Sequence, residues 1–592
     1  MSESKNQMLF ETSFEVCNKV GGIYAVLKSK ASRMVEHYKE DYFLIGPWFK
    51  EKAVLETMKR KPPIFLKNAF LEMEKMGISC FYGKWLIPSK PNVILVDYSG
   101  MMKNANKIKE RLWNEYKIDS WNAGYDFDEP VVWSTVVGML LEKVIAKLKD
   151  KKVVCQFHEW LSGAGLLYLK GKVPTVFTTH ATILGRSIAG SGEDLYTEVN
   201  SAKTIDPKRS YNYGIQSKHL MEKSCAENAD IFTTVSEITA KEAEYILGKK
   251  PDMVLPNGLD TSKFPTMEEL AISHRKYRKK IKDFLNAYFG PYYDTNLFDS
   301  LFFFTSGRYE FRNKGYDILI DALGKLNDKM KEKGEKKNIF VFFFVPSWTA
   351  GPNIELLESI RLYEDMQEEI HEEMPWIEDM TIESIVRGKM PKTSNIFRND
   401  FLLELKRKML AFKRKGVPPL CVFNIDQEND SIIKAFRKNG LTNKKEDRVK
   451  VIFYPSYLSS TDKLLGLNYE QAVQGMHLGI FPSYYEPWGY TPLDAAANGV
   501  LAVTSDLTGF GIFIKPQLKG REGMMVLERD GKGREEIVSN MSDILWKVVS
   551  MKRKNRIPKK AEAKDLAMLS DWKILAKNYL KAHDLALEKL GR

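Results

Sequence analysis

The sequence predicts an α/β protein with two doubly wound domains, each a parallel sheet covered by helices, that face a cleft. The chain has 592 residues, which is more than one hydrophobic core accommodates, so at least two domains are expected. Between residues 153 and 258, short apolar runs alternate with amphipathic stretches, a pattern typical of a parallel sheet and its helices. The same alternation restarts at residue 301 and predicts the second sheet.

In the first half, a strand is predicted at 10–16 and a helix at 23–35, joined by Val20, Gly21 and Gly22. Glycines at such a junction let backbone amides approach a phosphate, but the pair also suits a tight turn, and the spacing leaves both interpretations open. Further strands are predicted at 153–157, 173–178, 231–235 and 253–255, with helices at 162–170 and 239–247.

In the second half, strands are predicted at 301–304, 339–345, 449–454, 478–481 and 500–503, with helices at 316–330 and 469–476. The stretch from Ser483 to Asp494 lies between a strand and a helix. Thr491 is the expected N-cap of that helix, Pro492 its first residue and Asp494 a capping-box carboxylate, and Asn498-Gly499 ends it. Because ligands bind at strand-to-helix loops of α/β sheets, this loop predicts a site.

A charged segment at about 351–415 interrupts the second domain and has a helical period. Its apolar residues are three, four or seven positions apart, which predicts two helices with narrow apolar seams, joined near Pro391. They are Leu356, Ile360, Tyr363 and Ile370 in the first helix, and Leu402, Leu405, Met409 and Phe412 in the second. Packing on its own domain and a contact between subunits both remain possible for this hairpin.

Composition argues against several classes of protein. The five cysteines stand apart without a CxxC pair, and no metal-ligand motif is evident, so we expect neither a metal nor a cofactor. No apolar run has the length of a membrane span and no export segment follows Met1, so we expect a cytoplasmic protein with no membrane contact. The net charge of +13 suits an anionic ligand, but without a recognition signature we do not expect nucleic acid as a partner.

Polar residues that could bind a ligand or take part in catalysis follow several predicted strands. His158 and His180 each end a strand of the first domain, although a single histidine is more often a structural residue. Arg308 and Lys314 lie in the loop after the first strand of the second domain. Two fixed cations on one loop can stabilise a diphosphate, and the alternative is a solvated basic turn.

Five stretches, taken together, resemble the eukaryotic-type glycogen synthases. They are Val16 to Tyr24, Gln156 to Trp160, Thr178 to Arg186, Gly307 to Gly315 and Tyr484 to Pro492, and the similarity runs in order from about residue 14 to residue 585. The resemblance implies a GT-B fold of two Rossmann-like domains. It also implies a retaining glycosyltransferase that passes glucose from a nucleotide-glucose, usually UDP-glucose in this family, to the non-reducing-end 4-hydroxyl of an α-1,4-glucan.

The resemblance also implies roles for individual residues. Arg308 and Lys314 would contact the donor diphosphate, Glu486 would be the carboxylate at the transferred sugar, and His180 would contact that sugar. The other residues that it places at the donor are Lys19, Gly21, Gly22, Arg186, Asn257, Tyr469, Trp488, Gly489, Tyr490, Thr491 and Asp494, with Tyr469 stacking on the nucleobase.

Two features depart from the family pattern. The family usually has Glu, associated with the donor ribose, where this chain has Asp494, so a ribose contact and a helix cap both remain open. In the family an arginine-rich helix binds glucose-6-phosphate; here the stretch at 552–560 is rich in lysine, and its expected effector residues are Arg553, Arg556, Lys559 and Lys560. Because lysine does not reproduce the bidentate grip of arginine, we expect weak or absent activation, as in a short, unregulated, prokaryotic-like member. The alternative is a solvated basic surface.

The expected organisation follows from the same resemblance. An acceptor-side domain spans 1–260 and is completed by a C-terminal helix at about 570–592, and a nucleotide-sugar-binding domain spans 261–569 with the insertion at about 351–415. The insertion resembles the region through which family members assemble, so a homo-oligomer is expected, with a tetramer as the candidate. The alternatives are a glucan phosphorylase-like enzyme, which needs pyridoxal phosphate, and a non-catalytic glucan-binding protein.

Overall fold

The computed structural model describes residues 6–148, 150–201 and 204–590, and its strands form two sheets. The strands of the first sheet are β1 (Gln7–Thr12), β2 (Tyr42–Pro47), β3 (Thr57–Lys59), β4 (Ser79–Trp85), β5 (Asn92–Asp97), β6 (Lys152–His158), β7 (Thr175–Thr179), β8 (Ile231–Thr234) and β9 (Met253–Val254). Those of the second sheet are β10 (Leu301–Ser306), β11 (Ile339–Phe344), β12 (Val449–Tyr454), β13 (Leu478–Ile480), β14 (Leu501–Ser505) and β15 (Met524–Leu527).

Both sheets have a doubly wound strand order, which confirms the predicted fold class. The first has the order β3-β4-β5-β2-β1-β6-β7-β8-β9 and the second β12-β11-β10-β13-β14-β15. Neighbouring strands pair in parallel, except that β4 pairs antiparallel with β3 and β5 at one edge of the first sheet. All residues of β10, β11 and β12 are buried, as parallel strands covered by helices on both faces must be.

Helices cover both sheets. Those that accompany the first half are α1 (Gly22–Tyr38), α2 (Lys50–Glu56), α3 (Ile64–Glu74), α4 (Ala105–Tyr116), α5 (Tyr125–Ile145), α6 (Gly163–Leu169), α7 (Ile183–Gly190), α8 (Leu195–Ser201), α9 (Arg209–Asn212), α10 (Gln216–Asn228) and α11 (Glu237–Leu247). The others are α12 (Met267–Phe289), α13 (Tyr316–Glu332), α14 (Ile354–Val386), α15 (Thr393–Ile396), α16 (Asn399–Phe412), α17 (Ser431–Lys438), α18 (Tyr469–Gly475), α19 (Tyr490–Ala497), α20 (Gly509–Ile514), α21 (Arg534–Ser550), α22 (Arg553–Met568) and α23 (Trp572–Lys589).

The start of α19 differs from the prediction. Its N-cap is Gly489, which has a φ of 104° and makes no side-chain capping bond, and the helix begins at Tyr490. The predicted capping roles of Thr491 and Asp494 are therefore wrong, because a turn that requires glycine replaces the capping box. The predicted strand at 10–16 is likewise shifted, since β1 ends at Thr12.

Each sheet has one point at which its connections leave in opposite directions. In the first sheet β1 lies between β2 and β6, and in the second β10 lies between β11 and β13. Ligands of open α/β sheets bind beyond the carboxyl ends of the strands at such a switch point. Residues that follow these central strands are therefore positioned to form a site.

The last helix returns to the first sheet. Trp572 and Tyr579 of α23 are buried in one cluster with Leu9 and Leu44 of the first sheet. Gly258 lies so close to Trp572 that a Cβ there would be 2.5 Å from the indole ring. Residues 591 and 592 of the predicted helix lie outside the described residues, and the domain boundaries near 260 and 569 stay a prediction.

The insertion forms the predicted helical hairpin, from α14 and α16. Near its base Leu356 and Ile360 are buried, and the rings of Tyr363 and Phe412 lie 6.4 Å apart. Farther along α14 the predicted seam is open to solvent, with Ile370 43% exposed. The base therefore packs on its own domain, while the outer part keeps apolar surface exposed.

Gly315, which precedes α13, lies where the loop after β10 packs closely against the loop after β13. It has a φ of 70°, and a Cβ there would lie 1.9 Å from the carbonyl oxygen of Pro482. We expect Gly315→Ala to lower the free energy of unfolding by about 2–5 kcal/mol, because steric overlap adds to backbone strain. Gly334 has a φ of 64° and open space around it, so Gly334→Ala should cost only about 1–2 kcal/mol. Equal losses in urea unfolding of the two variants would show that the contact with Pro482 is unimportant.

Candidate active site

Lys314 and Glu486 form an ion pair at the switch point of the second sheet. Lys314 lies in the loop after β10 and Glu486 in the loop after β13, and the Lys314 Nζ contacts the Glu486 Oε2. The side chains are 14% and 24% exposed, so the pair is shielded but reachable. Charges of both signs are therefore available at one point of the edge where a ligand is expected.

Close packing fixes the loop that carries Glu486. The backbone N–H of Tyr484 donates to the carbonyl oxygen of Asn313 at 2.8 Å, which joins this loop to the one that carries Lys314. The buried guanidinium of Arg529 donates to the Pro482 carbonyl and lies 3.4 Å from the centre of the Tyr484 ring. The position of the ion pair is thus set by backbone contacts as well as by charge.

Arg308 and Tyr469 lie at the carboxyl end of β10. Arg308 is 73% exposed and pairs with Glu310 at 2.8 Å, so it does not join the Lys314 pair in this structure. The hydroxyl of Tyr469 is hydrogen-bonded to Ser306, the last residue of β10, at 3.0 Å. The ring of Tyr469 therefore lies at the predicted ligand edge, whereas the Arg308 side chain extends into solvent.

Asp494 lies in α19, beyond the residues that could cap the helix. Burial raises the pKa of its carboxyl to about 7, and the charge of Glu470 is a second cause. Burial and the Asp494 charge raise the pKa of Tyr469 above its usual range, which indicates that the two side chains are close. Of the two interpretations of Asp494, the helix cap is excluded and the ligand contact remains.

A chain of buried side chains leads to the switch point of the first sheet. The Lys30 Nζ and the His158 Nε2 both contact the Glu11 Oε1, the latter at 2.7 Å, and the His158 Nδ1 lies 3.0 Å from the His180 Nε2. Burial opposes ionisation of Glu11, but the Lys30 charge and the bond from His158 hold its pKa far below the usual range. Burial lowers the pKa of both histidines. An ionised carboxylate is thus followed by two neutral imidazoles.

Buried carboxylates hold the loop that carries His180. Glu159, Glu222 and Glu242 accept hydrogen bonds from the backbone N–H groups of residues 180–183 at 2.8–3.3 Å. Burial raises the pKa of all three carboxyl groups, which therefore tend to keep their protons in the fold. Glu159 also has a φ of 64°, a strained conformation of the kind found at functional sites.

The two halves of the chain meet beside Glu486. The hydroxyl of Tyr485 donates to the Glu242 Oε1 at 3.1 Å, and the Ser236 hydroxyl donates to the carbonyl oxygen of Pro487 at 2.7 Å. Glu242 therefore contacts both the loop that carries His180 and the loop that carries Glu486. One buried carboxylate connects the two candidate halves of the site.

A carboxylate accepts hydrogen bonds from the backbone amides at the start of α1. The Glu15 Oε2 accepts hydrogen bonds from the backbone N–H groups of Gly21 and Tyr24, each at 2.9 Å. A helix N-terminus of this kind favours an anion, and the atom held here is a carboxylate oxygen. Burial raises the pKa of Glu15, and the bonds from Tyr24 and Gly21 act against that rise. The structure therefore supports the anion-binding interpretation of the glycine pair, with the protein's own Glu15 as the anion.

The remaining predicted donor residues differ in environment. Lys19 is exposed and forms no ion pair with any residue that the structure describes. Burial opposes ionisation of Arg186, but the nearby acidic groups of Tyr485, Glu159, Glu222 and Glu242 raise its pKa. Asn257 and Trp488 are buried, and the Asn257 Oδ1 and the Trp488 Nε1 have no hydrogen-bond partner within the described ranges. Tyr490 donates its hydroxyl to a backbone carbonyl of the first half of the chain at 3.3 Å. Trp488 packs on core aromatic rings, so its position gives no support to a ligand contact.

The basic stretch in α22 divides into two parts. Arg553, Arg556 and Lys560 lie close to Arg278 of α12, since burial and these neighbouring charges lower the pKa of Lys560 to about 7. Burial and the charges of Arg556 and Arg553 likewise lower the pKa of Arg278 to about 10. Lys559 instead pairs with two glutamates. Three of the four predicted effector residues therefore form a cationic cluster, and the fourth does not.

Several residues of the site were not predicted, and two of them had a visible sequence signal. Glu11 is a charged residue inside the apolar strand β1, and Lys30 lies on the buried face of α1 at helical spacing from Leu27 and Met34. Both patterns break a hydrophobic face and indicate a buried charge pair. The role of Glu242 had no such signal, because it depends on how the two halves of the chain meet.

The described part of the chain contains neither a metal-binding cluster nor a membrane-spanning helix. Among the described residues, no group of three or more His, Cys, Asp or Glu side chains could hold a metal ion. No described helix combines the length and the hydropathy that crossing a bilayer requires. The expected lack of a cofactor stays a prediction.

Comparisons with known proteins agree with the resemblance. The family model described as Glycogen synthase matches residues 11–591. The chain is 36% identical to the Glycogen [starch] synthase of Neurospora crassa, over 99% of this chain and 84% of that protein. It is also 36% identical to the Glycogen [starch] synthase isoform 2 of Saccharomyces cerevisiae, over 99% of this chain and 87% of that protein. The solved catalytic domain of Starch Synthase IV from Arabidopsis thaliana is similar in fold, with a TM-score of 0.51, 10% identity and coverage of 99% and 100%, which confirms the GT-B fold.

Glu242 predicts a specific dependence of stability on pH. Burial raises its pKa from 4.5 to about 7, so between these two pH values the folded protein keeps a proton that the unfolded chain loses. This contribution, at most about 3 kcal/mol, is complete below pH 4.5 and is lost as pH rises through 7. Because Gln cannot ionise, Glu242→Gln should lose less thermal stability than the wild type between pH 5 and pH 8.

Glu244→Gln is the control, since Glu244 is exposed on the same helix and the substitution also removes one carboxylate. If the unfolding midpoints of the wild type and Glu242→Gln change equally with pH, the assignment of a retained proton to Glu242 is wrong.

Proposed function

The chain belongs to the glycogen synthase family, and on that premise we propose that its donor is UDP-glucose and its acceptor an α-1,4-glucan. A glycogen synthase is a retaining glycosyltransferase, so glucose moves from the donor to the glucan with its anomeric configuration kept. The observation that carries the proposal is the ion pair of Lys314 and Glu486 at the switch point of the second sheet.

The two charges of this pair match the two charges that develop during transfer. Cleavage of the bond between glucose and diphosphate leaves negative charge on the diphosphate and positive charge on the glucosyl carbon. Lys314 would stabilise the first and Glu486 the second, since fixed charges placed where charge develops lower the barrier. In the free enzyme each neutralises the other, and the bound donor would separate them.

Retention is explained by substitution on one face of the sugar. In this proposal the acceptor 4-hydroxyl attacks the anomeric carbon from the side that the diphosphate leaves, and a diphosphate oxygen takes the hydroxyl proton. Glu486 stabilises the charged sugar and forms no bond to it. Isolation of a covalent glucosyl adduct on Glu486 would contradict this step.

The start of α1 supplies a second contact for the donor diphosphate. The amides of Gly21 and Tyr24, which hold Glu15, are suited to a phosphate oxygen because they already bind a carboxylate oxygen. Donor binding would then exchange one anion for another. Two cations can approach the same anion. Lys19 is exposed and unpaired within the described residues, and the charge of Arg186 already acts on Glu15, whose pKa it lowers against the effect of burial.

Residues at the end of β10 would hold the nucleoside. Tyr469 presents a ring to the nucleobase, and Asp494, which does not cap its helix, remains free to contact the ribose. Arg308 would turn from Glu310 toward the diphosphate, a movement that its 73% exposure allows. His180, held from behind by His158, would face the transferred sugar from the first domain.

Three further properties remain proposals. For the cluster of Arg553, Arg556 and Lys560 we propose anion binding with little activation by glucose-6-phosphate, because two of the four residues expected there are lysines and one of these, Lys559, is engaged elsewhere. A large rise in rate on adding glucose-6-phosphate would contradict this. We also propose a cytoplasmic location and a homo-oligomer.

The test of the donor is a panel of UDP-, ADP- and GDP-glucose with glycogen as acceptor. We expect the highest kcat/KM with UDP-glucose, and Lys314→Ala should lower kcat by about 100- to 1,000-fold because it removes one preorganised charge. Lys325→Ala, on the exposed face of α13, is the matched control and should keep the wild-type rate. If the protein turns over none of the three donors, synthase activity of this chain is contradicted. A preference for ADP-glucose would contradict only the donor proposal.

The exposed apolar residues of the insertion form the proposed contact between subunits. Leu403 and Leu410 of α16 are 52% and 62% exposed, so charges there should prevent association. We expect sedimentation to show an oligomer for the wild type and a smaller species for Leu403→Glu/Leu410→Glu. Val54→Glu, at an exposed apolar residue of α2, is the control. A wild type that is monomeric at micromolar concentration would refute the proposal.

A further inference from the structure

We propose that Glu11 and His158 are positioning residues that fix the tautomer of His180, so that its Nδ1 accepts a hydrogen bond from a hydroxyl of the transferred glucose. The inference rests on the proposed function only in that His180 faces the sugar. The tautomer is determined by the positions of the protons in the buried series of hydrogen bonds that runs from Glu11 to His180.

The series of hydrogen bonds begins at the buried, ionised carboxylate of Glu11. Its Oε1 contacts the Lys30 ammonium, and its Oε2 accepts a hydrogen bond from the Tyr42 hydroxyl at 2.5 Å. Both Glu11 and Lys30 are fully buried, so no water competes for these contacts. An ionised carboxylate has no proton to give and only accepts hydrogen bonds. Every group that contacts Glu11 must therefore be a donor.

The carboxylate of Glu11 fixes the tautomer of His158. Its Nε2 lies 2.7 Å from the Glu11 Oε1, so the Nε2 carries the proton and donates it. A neutral imidazole has one donor and one acceptor, and burial keeps this ring neutral by lowering its pKa. The Nδ1 of His158 is therefore an acceptor.

His158 in turn fixes the tautomer of His180. The His158 Nδ1 lies 3.0 Å from the His180 Nε2, and because the former accepts, the latter must donate. The Nδ1 of the neutral His180 then carries a lone pair. No described residue donates a hydrogen bond to this atom, and His180 is 8% exposed whereas His158 is 1% exposed. His180 thus presents an acceptor at the end of β7.

Other contacts help to keep the Nδ1 of His180 an acceptor. The backbone N–H of His180 donates to Glu159 at 2.8 Å, which fixes the loop. At the other end of the chain, the ammonium of Lys30 lies 3.8 Å from the centre of the Tyr579 ring of α23, which covers it. The positions of the protons between Glu11 and His180 are therefore set by the ion pair of Lys30 and Glu11 and not by solvent.

A fixed acceptor has a chemical consequence for the substrate. A sugar hydroxyl can donate to the His180 Nδ1, but a fluorine atom in its place cannot, because fluorine carries no proton. The enzyme should therefore discriminate strongly against a donor in which that one hydroxyl is replaced by fluorine. If the proton of His180 moved to its Nδ1, fluorine would be accepted more readily.

The experiment compares two isosteric variants, His158→Asn and His158→Leu, with UDP-glucose and with analogues that carry fluorine in place of each sugar hydroxyl in turn. Asn keeps a carbonyl oxygen near the position of the His158 Nδ1, whereas Leu has the same shape and no acceptor. Both variants leave the pair of Lys30 and Glu11 in place. The measurement is kcat/KM for each donor, with the purified 592-residue protein and glycogen as the acceptor.

At one sugar position, the wild type and His158→Asn should show the same large preference for hydroxyl over fluorine. In His158→Leu this preference should fall about tenfold, the value of one hydrogen bond, while the preferences at the other positions stay unchanged. An unchanged preference in His158→Leu, or equal losses in both variants, would overturn the proposal. A wild type without turnover would instead contradict the proposed function.

A second measurement does not depend on the folding of the variants. In wild-type protein labelled with ¹⁵N at histidine, the nitrogen shifts distinguish the two tautomers, and His180→Ala identifies the signals of His180. We expect an unprotonated Nδ1 and a protonated Nε2. A protonated Nδ1 would overturn the proposal.

Discussion

The candidate site depends on one buried charge, the carboxylate of Glu11. An ion inside a protein is costly unless it is paired and its remaining lone pairs are satisfied. Lys30 supplies the countercharge, and Tyr42 and His158 supply the hydrogen bonds. Because each partner must donate, the direction of every hydrogen bond that leads to His180 is determined by this one carboxylate.

The second half of the site uses charge differently. Lys314 and Glu486 are partly exposed, and they are held together by loops that pack backbone against backbone. A pair of this kind can separate when a substrate offers each member a better partner, which a fully buried pair cannot do. The first domain therefore contributes fixed polarity and the second contributes charges that can be redirected, and Glu242 joins the two through Tyr485.

Much of the fold and part of the site could be predicted from the sequence. Strands such as β12 and the alternation with helices follow from apolar periodicity, and the loops with Lys314 and Glu486 follow from the strands that precede them. The start of α19 could not be predicted, because Thr491 and Pro492 carry good local capping chemistry that the turn at Gly489 overrides. The contacts of Glu15 and Glu242 could not be predicted either, since they join residues whose proximity depends on turns and on domain packing.

The return of α23 to the first sheet has a consequence for synthesis of the protein. Trp572 and Tyr579 complete the core around Leu9, and Tyr579 covers the ammonium of Lys30. A ribosome makes the first sheet hundreds of residues before it makes this helix. Until then the chain must carry an unfinished hydrophobic surface and an uncovered ion pair beneath the site. The first domain therefore begins to fold early but reaches its native core late, after the entire second domain has been translated.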